Sequence, residues 1–206
     1  MIEKDTYKTI AKASNEVLFK DKNSKFFGYA FPISNEDDIK SHLETLKKQH
    51  HAARHWCYAY QLGAQEQNIR FRANDDGEPN NSAGMPIFGQ IQSFEVTNIL
   101  IVVVRYFGGV KLGVGGLIHA YKTTSQMTLE ASTIITELIT KNIKISFDYA
   151  NINTVMRIIK EKNLNIVNQK LELDCEITIS VRLQEIPIVL ETFESHYGVK
   201  TAVLND

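Results

Sequence analysis

Three carboxylates lie close together in the sequence at Asp75, Asp76 and Glu78, within a run of turn-forming residues. Neighbouring carboxylates repel one another, and this repulsion raises their affinity for protons and for divalent cations. Such a cluster beside His55 would suit general acid–base chemistry or metal-assisted hydrolysis. The acidic positions do not have the ligand spacing of a calcium loop, and a solvated Asp-Gly turn explains the same pattern. We therefore predict no metal and no cofactor, and keep a metal-assisted hydrolase or phosphotransferase as an alternative function.

A second candidate is the densest glycine run of the chain, at Gly108, Gly109, Gly113, Gly115 and Gly116. Glycines allow a tight turn, so that backbone amides at the start of a following helix face an anion. Arg105 and Lys111 would add positive charge. The spacing matches neither the P-loop nor the dinucleotide-binding fingerprint. Two interpretations stay open: a turn that holds phosphate through the amides at 113, 115 and 116, or a turn that lets a helix pack closely on a strand.

The third candidate is the segment from Arg54 to Tyr58. In a strand, period-two alternation places His55 and Cys57 on one face and Trp56 and Tyr58 on the other. The aromatic face, with Arg54 beside it, would either stack on a base or belong to the core. A nucleophilic Cys57 is a weaker hypothesis, because lone cysteines are usually buried.

Composition limits the classes of protein. The chain has 206 residues, of which 43% are apolar and 23% charged, and its net charge is −1. It has no general basic excess, so an anionic partner would need a local patch. No apolar run approaches the ~20 residues of a membrane span, the charged start resembles no secretory signal, and the two cysteines have no metal-ligand spacing. We therefore expect a reduced, soluble, cytoplasmic protein with no membrane association.

Hydrophobic periodicity predicts several elements of the first part. A β-branched run at 99–104 has no alternation, so we expect a strand that is covered on both faces. A helix with its apolar face at Ile39, Leu43 and Leu46 is expected to end near a solvated His50-His51 pair. Another helix is predicted at 117–131, directly after the glycine run.

The second part has a different pattern. From residue 142 onward the predicted order is β-α-β-β-α-β, which is the order of a ferredoxin-like domain. No linker rich in glycine, proline or serine separates the two parts, and the junction is expected within 132–141. We predict an α+β chain with domains at 1–135 and 136–206.

Five segments together resemble a known family. They are Ser24-Lys25-Phe26, Ala53 to Tyr60, Asp75 to Pro79, Ser82 to Pro86 and Val102 to Leu117. In this order and composition they are similar to the IMPACT family in its bacterial YigZ-like form. One departure is Asn81-Ser82, because relatives usually have Gly-Thr at these positions.

The resemblance implies a fold more than a reaction. It implies an amino-terminal domain like the second domain of a small-subunit ribosomal protein, a fold also found in domain IV of elongation factor G. It implies a ferredoxin-like second domain that resembles domain V of the same factor. Eukaryotic relatives regulate translation, and for bacterial members the resemblance suggests RNA or ribosome association. Sugar and mevalonate kinases share the amino-terminal fold, but 115–119 lacks the paired serines of their phosphate loop.

The preferred hypothesis is a non-enzymatic, translation-associated regulator that binds RNA, the ribosome or another phosphate-bearing partner. Its predicted site is a patch where the glycine run, Arg54-His55 and the acidic residues converge. Phosphate contacts are expected from Arg54, Arg105 and Lys111, and stacking from Trp56 or Tyr58. A protein-interaction module that uses the ferredoxin-like sheet is a further alternative, and the sequence does not indicate an oligomeric state.

Overall fold

The computed structural model describes residues 5–204, and the charged start at Met1–Lys4 lies outside the described residues. The strands are β1 (Thr6–Ile10), β2 (Val17–Asp21), β3 (Ser24–Pro32), β4 (His55–Leu62), β5 (Arg70–Asn74), β6 (Ile99–Tyr106), β7 (Ile134–Leu138), β8 (Thr140–Asp148), β9 (Asn165–Lys170), β10 (Asp174–Arg182) and β11 (Val199–Val203). The α-helices are α1 (Glu36–Gln49), α2 (Gly84–Ser93), α3 (Gly113–Glu130), α4 (Ile152–Glu161) and α5 (Ile186–Glu194). Single 3-10 turns occupy Glu66–Asn68, Tyr149–Asn151 and Leu183–Glu185.

The chain forms two compact units. The amino-terminal unit runs from Tyr7 to Glu137, and the carboxy-terminal unit comprises the chain from Leu138 onward together with Asp5 and Thr6. Asp5 is held there because its carbonyl accepts the Ile139 N–H at 2.7 Å and its carboxylate binds the side chain of Arg182. The sequence predicts a division between 135 and 136 that keeps the start of the chain in the first domain, whereas the structure groups Asp5 and Thr6 with the second unit.

A five-stranded antiparallel sheet in the order β2-β3-β6-β4-β5 forms the centre of the amino-terminal unit. The central strand β6 is covered on both faces, as its unbroken apolar run predicts, and its residues from 99 to 104 are all fully buried. Leu100 and Val102 pack against α1 on one face, whereas Ile101 and Val103 pack with α2 and α3 on the other. Strands β1 and β7 form a separate two-stranded sheet.

Helix α3 begins earlier than the sequence predicts. The sequence predicts a start at Leu117, but the helix begins at Gly113, so Gly115 and Gly116 belong to its first turn rather than to the preceding turn. Apolar periodicity marks where a helix acquires a buried face, and the solvent-facing residues from 113 to 115 come before that point. None of the helices within residues 5–204 is long and apolar enough to cross a membrane.

Helix α1 ends in a buried histidine, where the sequence predicts a solvated one. His50 is 7% exposed and lies between two tyrosine hydroxyls. Tyr29 Oη donates to the carboxylate of Glu16, so it accepts from His50 Nε2–H, and His50 Nδ1 therefore accepts from Tyr106 Oη–H at 3.1 Å. Burial lowers the pKa of His50 and, together with the Glu16 bond, raises the pKa of Tyr29. The prediction of a solvated end is correct for Lys47, Lys48 and His51, which are exposed. It is wrong for His50, because the helix residues alone do not show the tyrosines of β3 and β6.

The carboxy-terminal unit has the ferredoxin-like order that the sequence predicts. Its antiparallel sheet has the strand order β11-β8-β10-β9, with the two helices α4 and α5 packed on one face. Ile177, Ile179 and Val181 of β10 are buried at alternate positions. The intervening residues face away from this core and are polar, as the Lys144–Glu176 ion pair at 3.0 Å illustrates. The predicted α+β class is confirmed.

Close packing between β3 and α3 generates a test of the fold. A Cβ at Gly28 would lie 2.1 Å from Thr128 Oγ1 and 2.9 Å from Thr124 Cγ2. We expect Gly28→Ala to lower the free energy of unfolding by about 1–3 kcal/mol, because the threonines lie inside a packed core. The measurement is urea unfolding followed by the fluorescence of Trp56, the single tryptophan of the chain.

The matched control is Gly89→Ala in α2, where an added Cβ would meet nothing within 4 Å. This change should be neutral or should stabilise the unit by up to about 1 kcal/mol, because alanine favours a helix over glycine. Equal effects of the two substitutions would contradict the proposed close approach of β3 and α3.

Candidate functional site

The carboxylate of Asp75 organises the loop that precedes α2. Its Oδ1 accepts the backbone N–H groups of Ala83 and Gly84 at 2.9 and 2.8 Å, and its Oδ2 accepts the N–H of Asn81 at 2.8 Å. The residue before α2 supplies no side-chain cap, so Asp75 satisfies the free amides at this helix end and carries the favourable negative charge. Asp75 therefore has a structural role within the amino-terminal unit.

Asn81 adopts a backbone conformation that favours glycine. Its φ is +60°, in the left-handed region where asparagine is tolerated better than other non-glycine residues. Its side chain is exposed, and its N–H remains available to Asp75. Asparagine at this position is therefore compatible with the hydrogen bond that anchors the loop to Asp75.

Asp76 fixes the start of β4. Its Oδ2 accepts the N–H of Trp56 at 2.7 Å, and its backbone carbonyl lies 2.8 Å from His55 Nδ1. A carbonyl oxygen only accepts, so Nδ1–H is the donor of this hydrogen bond. The structure therefore brings His55 and Asp76 together, but each of these side chains is hydrogen-bonded to the backbone.

A buried ion pair joins the acidic turn, defined here as residues 75–78, to β6, and a hydrogen bond joins it to α3. Arg105 Nη1 donates to Glu78 Oε1 at 2.6 Å, and Tyr121 Oη donates to the same oxygen at 2.8 Å. The two charged side chains are 6% and 4% exposed. Cys57 Sγ lies 3.2 Å from Tyr121 Oη and 3.0 Å from the carbonyl oxygen of Asp75. Burial raises the pKa of the Cys57 thiol and that of the Tyr121 hydroxyl, so both groups are neutral.

These contacts restrict the chemistry of the acidic residues. Each of the three carboxylates already accepts hydrogen bonds from within the unit. Within residues 5–204, no group of three or more histidine, cysteine, aspartate or glutamate side chains is placed to hold a metal ion. The arrangement therefore supports the fold and offers no free carboxylate pair for acid–base work.

The predicted phosphate contacts differ in exposure. The side chains of Arg54 and Lys111 are exposed, whereas Arg105 is only 5% exposed and its guanidinium is bound to Glu78. Arg105 forms its ion pair in the interior of the unit, so it is not a surface cation as Arg54 and Lys111 are. Sequence spacing cannot reveal this, because the carboxylate that binds Arg105 comes from a distant turn.

The glycine amides lie at an exposed helix start. Gly113 and Gly115 are exposed in the first turn of α3, and Leu112 provides no side-chain cap. The first amides of a helix have no intrahelical partner, so those at 113 and 115 point free donors toward solvent. Gly116 is the fourth residue of the helix and is half-buried. The N–H at that position lies within reach of the carbonyl of residue 112.

The predicted stacking residues, Trp56 and Tyr58, lie on the face of the sheet that is opposite to α3 and the acidic residues. Trp56 and Tyr58 pack with the core beneath α1, and Lys47 Nζ lies 5.8 Å from the centroid of the Trp56 ring. Cys57, between them, belongs to the core beneath α2 and α3. The predicted alternation is correct, but it separates the two aromatic rings from the acidic residues and from α3, so they do not line the same patch.

The glycine turn, defined here as residues 107–112, packs on the β2–β3 hairpin. Gly108 N–H donates to Ser24 Oγ at 3.1 Å, and a Cβ at Gly108 would lie 2.1 Å from the backbone of Asn23. Only glycine permits this approach. Arg54 N–H donates to the carbonyl of Arg105 at 3.4 Å, which places the start of β4 at the same end of the sheet.

Sequence reasoning missed the lysines of this hairpin. Lys20 and Lys25 are cross-strand neighbours, and Lys22 lies in the connecting turn. We call these three residues and Lys111 the basic junction. All four are exposed, and none forms an ion pair within the described part of the chain. The available signal is Ser24-Lys25-Phe26, which contributes to the family resemblance but does not by itself indicate a site.

The Arg105–Glu78 pair yields a stability prediction. Glu78→Ala leaves a buried guanidinium without its carboxylate, so we expect a loss of about 3–5 kcal/mol in the free energy of unfolding. Arg70→Ala removes an exposed ion pair of the same unit, at 3.6 Å from Glu36, and should cost less than about 1 kcal/mol. Urea unfolding followed by Trp56 fluorescence compares the two, and similar losses would contradict the structural role of Glu78.

The raised pKa of Cys57 yields a reactivity prediction. Only the thiolate reacts with iodoacetamide, so the native thiol should resist alkylation at pH 8 and react quickly in urea. Mass spectrometry of the peptides that contain Cys57 and Cys175, which is also buried, measures the two rates separately. Rapid native alkylation at Cys57 would instead indicate an activated nucleophile.

Comparison with known proteins agrees with this architecture. The model of the Impact N-terminal domain matches residues 22–129. An IMPACT family member of Haemophilus influenzae is 28% identical over 188 residues, which cover 90% of this chain and 89% of the relative. The IMPACT family member YigZ of Escherichia coli is 35% identical over 133 residues, which cover 62% of this chain and 65% of the relative.

A crystal structure of a hypothetical protein shares the fold. It aligns with a TM-score of 0.78 at 22% identity, and the alignment covers 98% of this chain and 99% of that one. The family model covers more than half of the 206 residues and includes the acidic turn, the glycine turn and the β2–β3 turn. The chain therefore belongs to the IMPACT family, in its YigZ-like bacterial form.

Proposed function

We propose that this chain is a non-enzymatic, translation-associated regulator of the cytoplasm that binds RNA, free or in the ribosome, through the basic junction. The observation that carries the proposal is the set of lysines at 20, 22, 25 and 111, which are exposed and have no ion pair within residues 5–204. Unpaired lysines at one end of a sheet are suited to phosphate groups, because binding releases the counterions of the nucleic acid.

The charge pattern along the chain supports this site. Residues 96–129 contain no aspartate or glutamate, although the whole chain has a net charge of −1. The carboxylate of Glu78, which is bound to this segment in the fold, is neutralised by Arg105. The four lysines of the basic junction also outnumber the carboxylate of Asp21, which lies between Lys20 and Lys22. This excess of positive charge on a nearly neutral protein suits an anionic partner.

The exposed start of α3 supports the same type of ligand. The free amides at Gly113 and Gly115 follow closely after Lys111, and their partial positive charge adds to that of the lysine. The exposed Arg54 at the start of β4 provides a further cation at this end of the sheet. We assign phosphate binding to these residues and a supporting role to Arg105.

The assignment to translation rests on family membership. The sequence resemblance implies that the two units are similar in fold to domains IV and V of elongation factor G, and that IMPACT relatives in eukaryotes regulate translation. A protein that presents cations on such a scaffold is suited to ribosomal RNA. The enzyme hypothesis has weaker support, because the carboxylates it requires already accept hydrogen bonds within the unit. The protein-interaction hypothesis also has weaker support, because the outward-facing residues of β8 and β10 are polar.

We expect the affinity for a labelled single-stranded RNA to fall linearly with the logarithm of salt concentration. Fluorescence anisotropy measures this slope, and ribosome cosedimentation tests the larger partner. The double variant Lys25→Ala with Lys111→Ala should reduce the slope by about 0.7 for each phosphate that the variant no longer neutralises.

The control is Lys12→Ala with Lys48→Ala, which removes the same charge from exposed positions elsewhere in the amino-terminal unit. This variant should bind almost as the unmodified chain does. Absence of RNA binding at low salt would refute the proposal, as would equal losses of affinity in the two double variants.

A further inference from the structure

Phe107 is a large apolar side chain that remains at the surface of the amino-terminal unit. It is the first residue of the glycine turn, and it is 47% exposed. Its ring centroid lies 5.5 Å from the guanidinium carbon of Arg105, and the same carbon lies 5.5 Å from the ring of the buried Phe26. Phe107 therefore covers a buried cation with part of its surface and presents the remainder to solvent.

The position of the ring is fixed by neighbours on both sides in the sequence. Arg105 is anchored to Glu78, and its guanidinium cannot move without breaking a buried ion pair. Gly108 is seated on the backbone of Asn23 and bound to Ser24 Oγ. A rigid aromatic side chain loses little conformational entropy when a ligand packs on it, so Phe107 is preorganised for contact with a ligand.

The surroundings of Phe107 combine apolar and cationic groups. Val110, Val114 and Ile118 are also exposed, and the last two lie one helical turn apart on α3. Lys111 lies within the same glycine turn as Phe107, whereas Lys25 lies opposite Tyr106 and so points from the other face at this end of the sheet. Proteins that bind single-stranded nucleic acids combine exposed aromatic rings with cations, because the cations hold the backbone and the ring stacks on a base.

We infer that Phe107 is the stacking site for an unpaired base, so that the RNA segment held at the basic junction is single-stranded. The inference rests on the proposed function and adds the class of RNA to it. A base within a duplex is stacked on both faces, whereas a base in a loop or a free strand offers a face to an aromatic side chain. Base stacking, which the sequence analysis assigns to Trp56 or Tyr58, is thus assigned to Phe107.

The test compares three variants on two probes. Phe107→Leu keeps an apolar cover over Arg105 and removes the aromatic face, whereas Phe107→Tyr keeps that face. Phe71→Leu is the matched control, because Phe71 is also an exposed phenylalanine, on the edge strand β5, stacked on Phe88 at 4.3 Å. The probes are a labelled single-stranded RNA and a blunt duplex of the same sequence, measured at one salt concentration and in a salt series.

We expect Phe107→Leu to weaken single-strand binding about ten-fold or more, with an unchanged salt slope and a change of less than about two-fold for the duplex. Phe107→Tyr and Phe71→Leu should bind the single strand as the unmodified chain does. Thermal unfolding followed by Trp56 fluorescence shows whether each variant is folded, and if the leucine variant is not, Phe107→Met removes the aromatic face in its place with the same expected loss.

The outcomes separate this inference from the proposed function. If the lysine variants lose affinity while Phe107→Leu does not, the stacking role is overturned and the RNA-binding role stands. If Phe107→Leu weakens the single strand and the duplex equally, the ring has no preference for an unpaired base and the inference falls. If the unmodified chain binds neither probe, both proposals fail.

Discussion

The buried pair of Arg105 and Glu78 is the interaction on which the amino-terminal unit depends. It joins the end of β6 to the acidic turn, and Tyr121 connects the same carboxylate to α3. Removing two charges from water is expensive, and the cost is offset only where the geometry is good and further hydrogen bonds are made. The hydrogen bond from Tyr121 supplies part of this compensation. The pair therefore fixes the acidic turn, α3 and, through Phe107, the glycine turn in one arrangement.

Regular elements were predictable from the sequence because local periodicity determines them. The alternation in β4 placed Cys57 and Trp56 on opposite faces correctly, and the unbroken apolar run of β6 predicted burial on both sides. The ferredoxin-like order of the carboxy-terminal unit followed from the same kind of pattern. In each case the information lies within a few neighbouring residues, where side-chain spacing and burial are directly related.

The roles of the site residues were harder to predict, because they depend on partners far away in the sequence. Three close carboxylates resemble a metal or acid–base site until their partners are known, and those of Asp75 are backbone amides at 81, 83 and 84. Arg105 resembles a surface cation until Glu78 is placed beside it. Lys25 and Phe107 carry no local signal of function, since their segments meet through the pairing of β3 with β6 and the packing of Gly108 on the hairpin.

The hydrogen-bonded chain through His50 has a consequence for behaviour in acid. Tyr106, His50 and Tyr29 each donate to the next group, and the Glu16 carboxylate accepts at the end of the chain. This order requires a neutral imidazole, and burial lowers the pKa of that ring below its ordinary value of about 6.5. The unfolded chain binds the proton more readily, so this contribution to stability is complete above that value and is lost as the pH falls toward the lowered pKa. His196, the single histidine of the carboxy-terminal unit, is not buried. Acidification therefore destabilises the amino-terminal unit through a buried histidine that the carboxy-terminal unit lacks, and the two units need not unfold together.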